Sequence, residues 1–296
     1  MSQEQLLALN EKLAASPLDI GGDLAVQRPL FEQVYAIPEP LPEDAVVENV
    51  TLGGVPAVSI DLVSNPGRAT ILFFHGGGFA VGTAASSVQM ALQLTRLTGM
   101  RVLSVDYRLA PEFPFPAAVT DGKRVFDALL AAGVEPGSIS IWGVSAGGAI
   151  ALNLAVQTTQ TPVSCVVLFS PWLDLTLTGE SMTRKAAVDL ILSREGLQPR
   201  VLDYIGDGDP ADPAASPLFA DLRGLPPILL QVGSAEVLLD DSVRLAAAAS
   251  NANVPVILEV APHAPHVFQS AAALYDEGAD ALGRACEFAS RNTPSH

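Results

Sequence analysis

The sequence predicts an α/β fold with a mostly parallel central sheet and helices on both of its faces. Three observations lead there. The runs Ala69–Phe74 and Arg101–Val105 are nearly continuously apolar, as strands buried on both faces must be, and Ser138–Trp142 and Val163–Phe169 follow them as further strands. Helix-forming segments, Ser86–Thr98, Pro116–Ala132 and Ala146–Gln157, separate these runs, which is the alternation of β-α-β crossovers. At one strand-to-helix junction stands Gly143-Val144-Ser145-Ala146-Gly147. A turn tight enough to push a serine oxygen clear of the backbone leaves no room for side chains two residues to either side, and it holds the serine in a strained conformation.

With 296 residues, 49% hydrophobic and only 16% charged, the chain can bury one large domain, or a core plus a small appendage, and is not a disordered chain. Its net charge of −16 argues against a nucleic-acid surface or an anionic membrane surface, both of which attract basic patches. Met1 to Pro17 is amphipathic, with Leu6, Leu7, Leu9 and Leu13 among Gln, Glu and Lys, and it lacks the basic start and unbroken apolar block of a signal peptide. No later stretch is apolar for long enough to span a bilayer, so the expected location is the cytoplasm. Cys165 and Cys286 fall in an expected strand and an expected helix and read as buried free thiols.

In chain order, the first part reads as an appendage: an amphipathic helix, a break at Gly21-Gly22, a second helical piece near Arg28 to Tyr35, and a connector carrying Pro38, Pro40 and Pro42. Val46–Leu52 and Ala57–Val63 then form an antiparallel strand pair about the turn Gly53-Gly54-Val55-Pro56. The turn Asn65-Pro66-Gly67 leads into the parallel strands. Between Pro171 and Leu225 the alternation stops. Helical segments at Ser181–Leu192 and Glu195–Tyr204 are followed there by a turn at Asp207-Gly208-Asp209 and a loop with Pro213 and Pro217. An excursion of that length from a sheet reads as a lid. The core resumes with Ile228–Val232, Asp240–Asn251, Val254–Val260 and Val267–Ala289 as strand, helix, strand and helix.

A serine raised on such a turn is a nucleophile only with a base beside it, and the base needs a carboxylate to orient it. Where a serine sits on this kind of elbow, the acid and then the histidine follow it along the chain, each after a late strand. Four histidines are available: His75, His263, His266 and His296. His263 and His266 share the loop after Val254–Val260, and His266, directly before the last expected helix, is the favoured base. The acid is expected after Ile228–Val232. Glu236 lies nearest the strand end and is favoured over Asp240, since Asp240 and Asp241 also suit the capping of the following helix.

His75-Gly76-Gly77-Gly78-Phe79 follows the strand Ala69–Phe74. Its glycine N–H groups, with that of the residue after the serine, make Gly77, Gly78 and Ala146 the candidate donors to an oxyanion, with His75 and Gly76 supporting the loop. A phosphate loop is disfavoured, because no Gly-Lys-Ser/Thr follows and no Gly-x-Gly-x-x-Gly opens the next helix. No spacing of histidines or cysteines suits a metal, and Asp207-Gly208-Asp209 lacks the remaining ligands of a calcium loop.

Taken together, His75–Phe79, Asp106-Tyr107-Arg108-Leu109-Ala110-Pro111-Glu112, Phe115-Pro116-Ala117-Ala118 and Gly143–Gly148 resemble the bacterial hormone-sensitive-lipase-like esterases, which have the α/β-hydrolase fold. The resemblance runs from Val46 to Ala289. It implies a cap built from residues 1–45 and 180–215 on a core of residues 46–179 and 216–296. It also implies a carboxylic-ester hydrolase for short- to medium-chain acyl esters, with no cofactor. The family's triad falls on Ser145, Glu236 and His266, and its oxyanion hole on Gly77, Gly78 and Ala146. The chain departs from the family pattern in four places: Glu236 where many members have Asp, Val144 where Asp or Thr often precedes the serine, Phe113 where His usually follows the Tyr-Arg-Leu-Ala-Pro-Glu motif, and His263 where glycine is common.

The same triad would also serve a lactone or amide hydrolase, and the same fold a ligand-binding receptor with a dead site. The expected partner is a small-molecule ester. An apolar final helix with Ala271, Ala272, Leu274, Leu282 and Phe288 would allow a homodimer, although covering the sheet explains it more simply.

Overall fold

The structure, a computed structural model, describes residues 3–35, 41–63 and 69–294. The connector prolines Pro38 and Pro40, the turn Asn65-Pro66-Gly67 and His296 lie outside these residues. One eight-stranded sheet is formed by β1 (Ala45–Leu52), β2 (Val55–Leu62), β3 (Thr70–Phe74), β4 (Arg101–Val105), β5 (Ile139–Val144), β6 (Cys165–Phe169), β7 (Ile228–Gly233) and β8 (Val256–Ala261), in the order β1-β2-β4-β3-β5-β6-β7-β8. β1 and β2 pair antiparallel as expected, but Gly53-Gly54 alone closes the hairpin, because Leu52 already faces Val55. β2 is antiparallel to β4 and every later pairing is parallel. The C-terminal ends of β3 to β8 therefore all emerge at one edge, the place where open α/β sheets bind ligands. β3 and β5 are neighbours, with Phe74 opposite Gly143, so the glycine-rich loop and the Ser145 turn leave the sheet side by side.

The helices are α1 (Gln3–Ala14), α2 (Leu24–Val34), α3 (Val88–Thr98), α4 (Ala117–Ala131), α5 (Ala146–Gln157), α6 (Ser181–Arg184), α7 (Arg194–Ile205), α8 (Leu239–Asn251) and α9 (Asp276–Asn292). Successive strand residues point to opposite faces. Phe73, Trp142 and Val167 accordingly pack with α3 and α9, whereas Phe74, Ile141 and Leu168 pack with α4, α5 and α8. Cys165 and Cys286 are free and buried in the first of these cores. Among the described residues no helix is long and apolar enough to cross a membrane.

α6 and α7 pack Met182, Leu197, Val201 and Tyr204 into the second of these cores, whereas α1 and α2 stand apart from both. α1 rests through Leu6, Leu9 and Leu13 on Ala264, Phe268 and Tyr275. α2 is tied down by one side chain. Arg28 donates from Nε to the Ala80 carbonyl (2.9 Å), from Nη2 to the Ala110 carbonyl (3.0 Å), and from Nη1 and Nη2 to the Glu112 carboxylate (2.7 and 2.6 Å). The N-terminal segment meets the start of α7 backbone to backbone: a Cβ on Gly21 would lie 2.6 Å from the Gly196 Cα.

Two expected helices are shorter than the sequence suggests. Ser181–Leu192 is α-helical only over α6, because further on the Asp189 carboxylate takes the N–H groups of Ile191 (2.9 Å), Leu192 (2.8 Å) and Val237 (2.7 Å), tying this stretch to the loop after β7. The last helix starts at Asp276 rather than Val267. Val267 is left-handed (φ 52°) and a single 3-10 turn, Phe268–Ala271, follows it, so His266 does not border the helix and Ala271, Ala272 and Leu274 lie ahead of it.

Candidate active site

Ser145 lies between β5 and α5 with φ 51° and ψ −122°. Its glycine neighbours are a steric requirement: a Cβ on Gly143 would stand 2.4 Å from the Gly147 carbonyl oxygen, and one on Gly147 would stand 2.2 Å from that of Phe74. Such a backbone conformation costs about 1–3 kcal/mol and persists only where its surroundings fix it. Here the Ser145 N–H donates to the Phe169 carbonyl (2.9 Å), while the Ser145 carbonyl accepts from Gly148 (2.9 Å) and Trp172 (3.0 Å).

The loops after β7 and β8 bring the acid and the histidine to this turn. His266 Nε2 is 3.0 Å from Ser145 Oγ, and His266 Nδ1 is 2.6 Å from Glu236 Oε2. An ionised carboxylate only accepts, so the Nδ1 hydrogen points at Glu236 and Nε2 is left to accept the serine proton. Glu236 is fully buried, and its other oxygen, Oε1, accepts from the Gly233 N–H (2.6 Å) and the Ser170 hydroxyl (2.8 Å). These donors offset the cost of burying the charge.

The alternatives fall elsewhere. Asp240 accepts from the Ser181 N–H (2.8 Å), and Asp241 accepts from those of Leu173 (2.7 Å) and Asp174 (3.0 Å). Both lie in the first turn of α8 but neither caps it, since the cap position is Leu238. They fasten the 173–181 stretch to α8, and burial pushes the Asp241 carboxyl up to about 7. His263 is exposed on a left-handed backbone (φ 60°), with its N–H donating to Ser234 Oγ (2.7 Å).

The glycine-rich loop folds back on itself. Gly77 has φ 120°, a Cβ there would lie 2.1 Å from the Val81 carbonyl oxygen, and its own carbonyl accepts from Ala80 (3.1 Å) and Val81 (3.0 Å). Among the described residues the N–H groups of Gly77, Gly78 and Ala146 have no protein acceptor. His75 donates from Nδ1 to the Gly76 carbonyl (2.7 Å), and its ring stacks on Tyr107 at 4.2 Å. Burial pushes this imidazole down to about 4, so it is neutral at pH 7 and serves the loop rather than the serine.

Ser145, His266 and Gly76 to Gly78 open into one pocket of about 550 Å³. Its walls are mostly apolar, with Phe73, Met90 and Val144 contributed by the sheet and α3, and Ile20, Leu192 and Leu197 by the segments outside the sheet. Val144, directly before the serine, is a wall of the pocket.

Sequence reasoning missed Ser170, Trp172 and Arg28. The only hint of Ser170 is a polar residue at the C-terminal end of an otherwise apolar strand beside β5.

A hydroxyl against one imidazole nitrogen, a carboxylate on the other, and free N–H groups in the same pocket form an arrangement capable of acyl transfer. A family profile described as the alpha/beta hydrolase fold matches residues 71–270. An esterase of Acinetobacter venetianus is 39% identical over 270 residues, covering 88% of this chain and 87% of its own. An acetyl-hydrolase of Streptomyces hygroscopicus is 39% identical over 236 residues, or 79% of each chain. The crystal structure of an esterase from the bacterial hormone-sensitive lipase family superposes with a TM-score of 0.91 at 37% identity over 98% of both chains.

Proposed function

This chain belongs to the bacterial hormone-sensitive-lipase-like esterases of the α/β-hydrolase fold, and from that membership we propose that it hydrolyses short- to medium-chain acyl esters through a Ser145–His266–Glu236 triad and a covalent acyl-enzyme. The observation that carries this reading is the chain of contacts at 3.0 and 2.6 Å from Ser145 through His266 to Glu236. Ser145 Oγ attacks the ester carbonyl carbon as its proton passes to His266 Nε2. The oxyanion takes the free N–H groups of Gly77, Gly78 and Ala146. Collapse breaks the bond to the alcohol oxygen, which leaves with the proton from His266. Water then gives a proton to His266 and attacks the acyl carbon, releasing the acid and restoring the Ser145 hydroxyl. Glu236 holds the ring in its tautomer and stabilises the imidazolium.

Residues 1–45 and 180–215 act as the cap, and the contribution of Ile20, Leu192 and Leu197 to the pocket walls supports that division. A mostly apolar pocket of about 550 Å³ supports small neutral esters as substrates. The test is hydrolysis of p-nitrophenyl esters from acetate to laurate, with lactones and anilides in parallel. The expected optimum lies at short chains, and Ser145→Ala and His266→Ala should each lower kcat by at least about 10⁴-fold. Turnover surviving in Ser145→Ala, or confined to laurate or to anilides, contradicts the proposal.

A further inference from the structure

The turn after β6, Phe169–Trp172, bonds to all three residues of that triad or to their immediate backbone. The Phe169 carbonyl and the Trp172 N–H hold the two sides of the Ser145 peptide. Between them, the Ser170 hydroxyl donates to Glu236 Oε1 at 2.8 Å and accepts the Val267 N–H at 3.0 Å. A single oxygen thus joins the acid to the residue that follows the base. Ser170 is fully buried, sits at φ 44°, and donates its own N–H to the Gln231 carbonyl (2.8 Å). A non-glycine residue persists in that region only where its surroundings fix it.

The side-chain length of Glu236 gives this contact a purpose. Glutamate has one more rotatable bond than aspartate, and a carboxylate free to turn about it would not keep Oε2 on the imidazole. Gly233 N–H and Ser170 Oγ both hold Oε1, which leaves Oε2 alone to face His266 Nδ1. Ser170 is not among the residues lining the pocket, so it has no substrate to touch. We propose that Ser170 is a positioning residue for ester hydrolysis, its hydroxyl fixing the Glu236 carboxylate and the His266–Val267 backbone against each other. The proposal rests on the Ser145–His266–Glu236 reading.

The test replaces Ser170 by Gly and by Ala, each alone and combined with Glu236→Gln. Glycine adopts φ 44° without strain, so Ser170→Gly removes the hydroxyl while easing the backbone. Loss of a hydrogen bond to a charged group should lower kcat by about ten- to a hundredfold. KM should stay within about twofold, because the change lies off the binding surface. In the Glu236→Gln background the further loss should fall below about threefold, since both changes break one interaction. Wild-type kcat in both single variants overturns the proposal. So does a loss carried by KM, or losses that multiply in full in the double variants. Wild-type turnover in Glu236→Gln removes the triad reading and this assignment with it. An impaired Glu236→Gln beside fully active Ser170 variants removes the Ser170 assignment alone.

Discussion

The sheet edge and the segments that cover it are built by different physics. At the edge, Ser145, Glu236 and His266 follow the C-terminal ends of β5, β7 and β8, and each is almost wholly buried and held by short hydrogen bonds. In the cover, α1 buries only Leu9 along its 12 residues, and Leu7, Val26 and Val34 keep 63%, 52% and 49% of their surface exposed. Weakly buried elements open at low free energy, while groups pinned by strand ends move only with the sheet. The edge is therefore the rigid part, where the proposed chemistry sits, and α1 and α2 are the weakly held part of the proposed cap.

That contrast breaks down if changes at the edge and in the cover affect the same kinetic constant. The larger effect belongs to the edge. Gly77→Ala places a methyl 2.1 Å from the Val81 carbonyl oxygen at φ 120°, so the loop must shift and withdraw its N–H groups. A loss of about 10²–10³-fold in kcat with little change in KM is expected, as for removal of one oxyanion donor. A normal kcat in a folded Gly77→Ala protein means that this loop is not the one that stabilises charge.

The smaller effect belongs to the cover. Arg28→Met removes four hydrogen bonds that tie α2 to Ala80, Ala110 and Glu112. KM for the preferred ester should rise a few-fold with kcat within about twofold, and the unfolding midpoint should fall by about 2–4 °C. A kcat loss as large as that of Gly77→Ala merges the two regions into one.

Acid sharpens the same comparison. Hydrogen bonds from Arg28 push the Glu112 carboxyl down from 4.5 to about 2. A depressed carboxyl stabilises the fold fully above its unfolded value and loses that contribution as pH falls towards the folded one. The KM difference between wild type and Arg28→Met should hold above about pH 5 and shrink in more acidic solution. Both side chains are partly exposed, so added salt should shrink it as well.

The parts of this molecule that could be read from sequence are those set by local requirements. Gly143 and Gly147 are dictated by atoms within the same turn and the adjacent strand end, and Glu236 and His266 by their place after late strands. What escaped is set by distant partners. Ser170 meets residues 66 and 97 positions away, and Arg28 meets residues 52, 82 and 84 positions away. The late start of α9 has the same origin: Val267 is left-handed, a conformation that cannot belong to a right-handed helix, and its N–H is held by the distant Ser170. Ser181–Leu192 has helical composition, yet the reach of Asp189 to Val237 holds the second half out of a helix.

The most direct test of the central claim, that Ser145 forms the covalent bond, is labelling with a p-nitrophenyl alkylphosphonate followed by peptide mass spectrometry. Attack by Oγ at phosphorus expels p-nitrophenolate and leaves a stable ester that water does not readily clear. The expected result is one phosphonyl group per chain on the Ser145 peptide, with activity lost in proportion and no label in Ser145→Ala. Full labelling at another residue, or esterase activity that survives complete labelling of Ser145, contradicts the account.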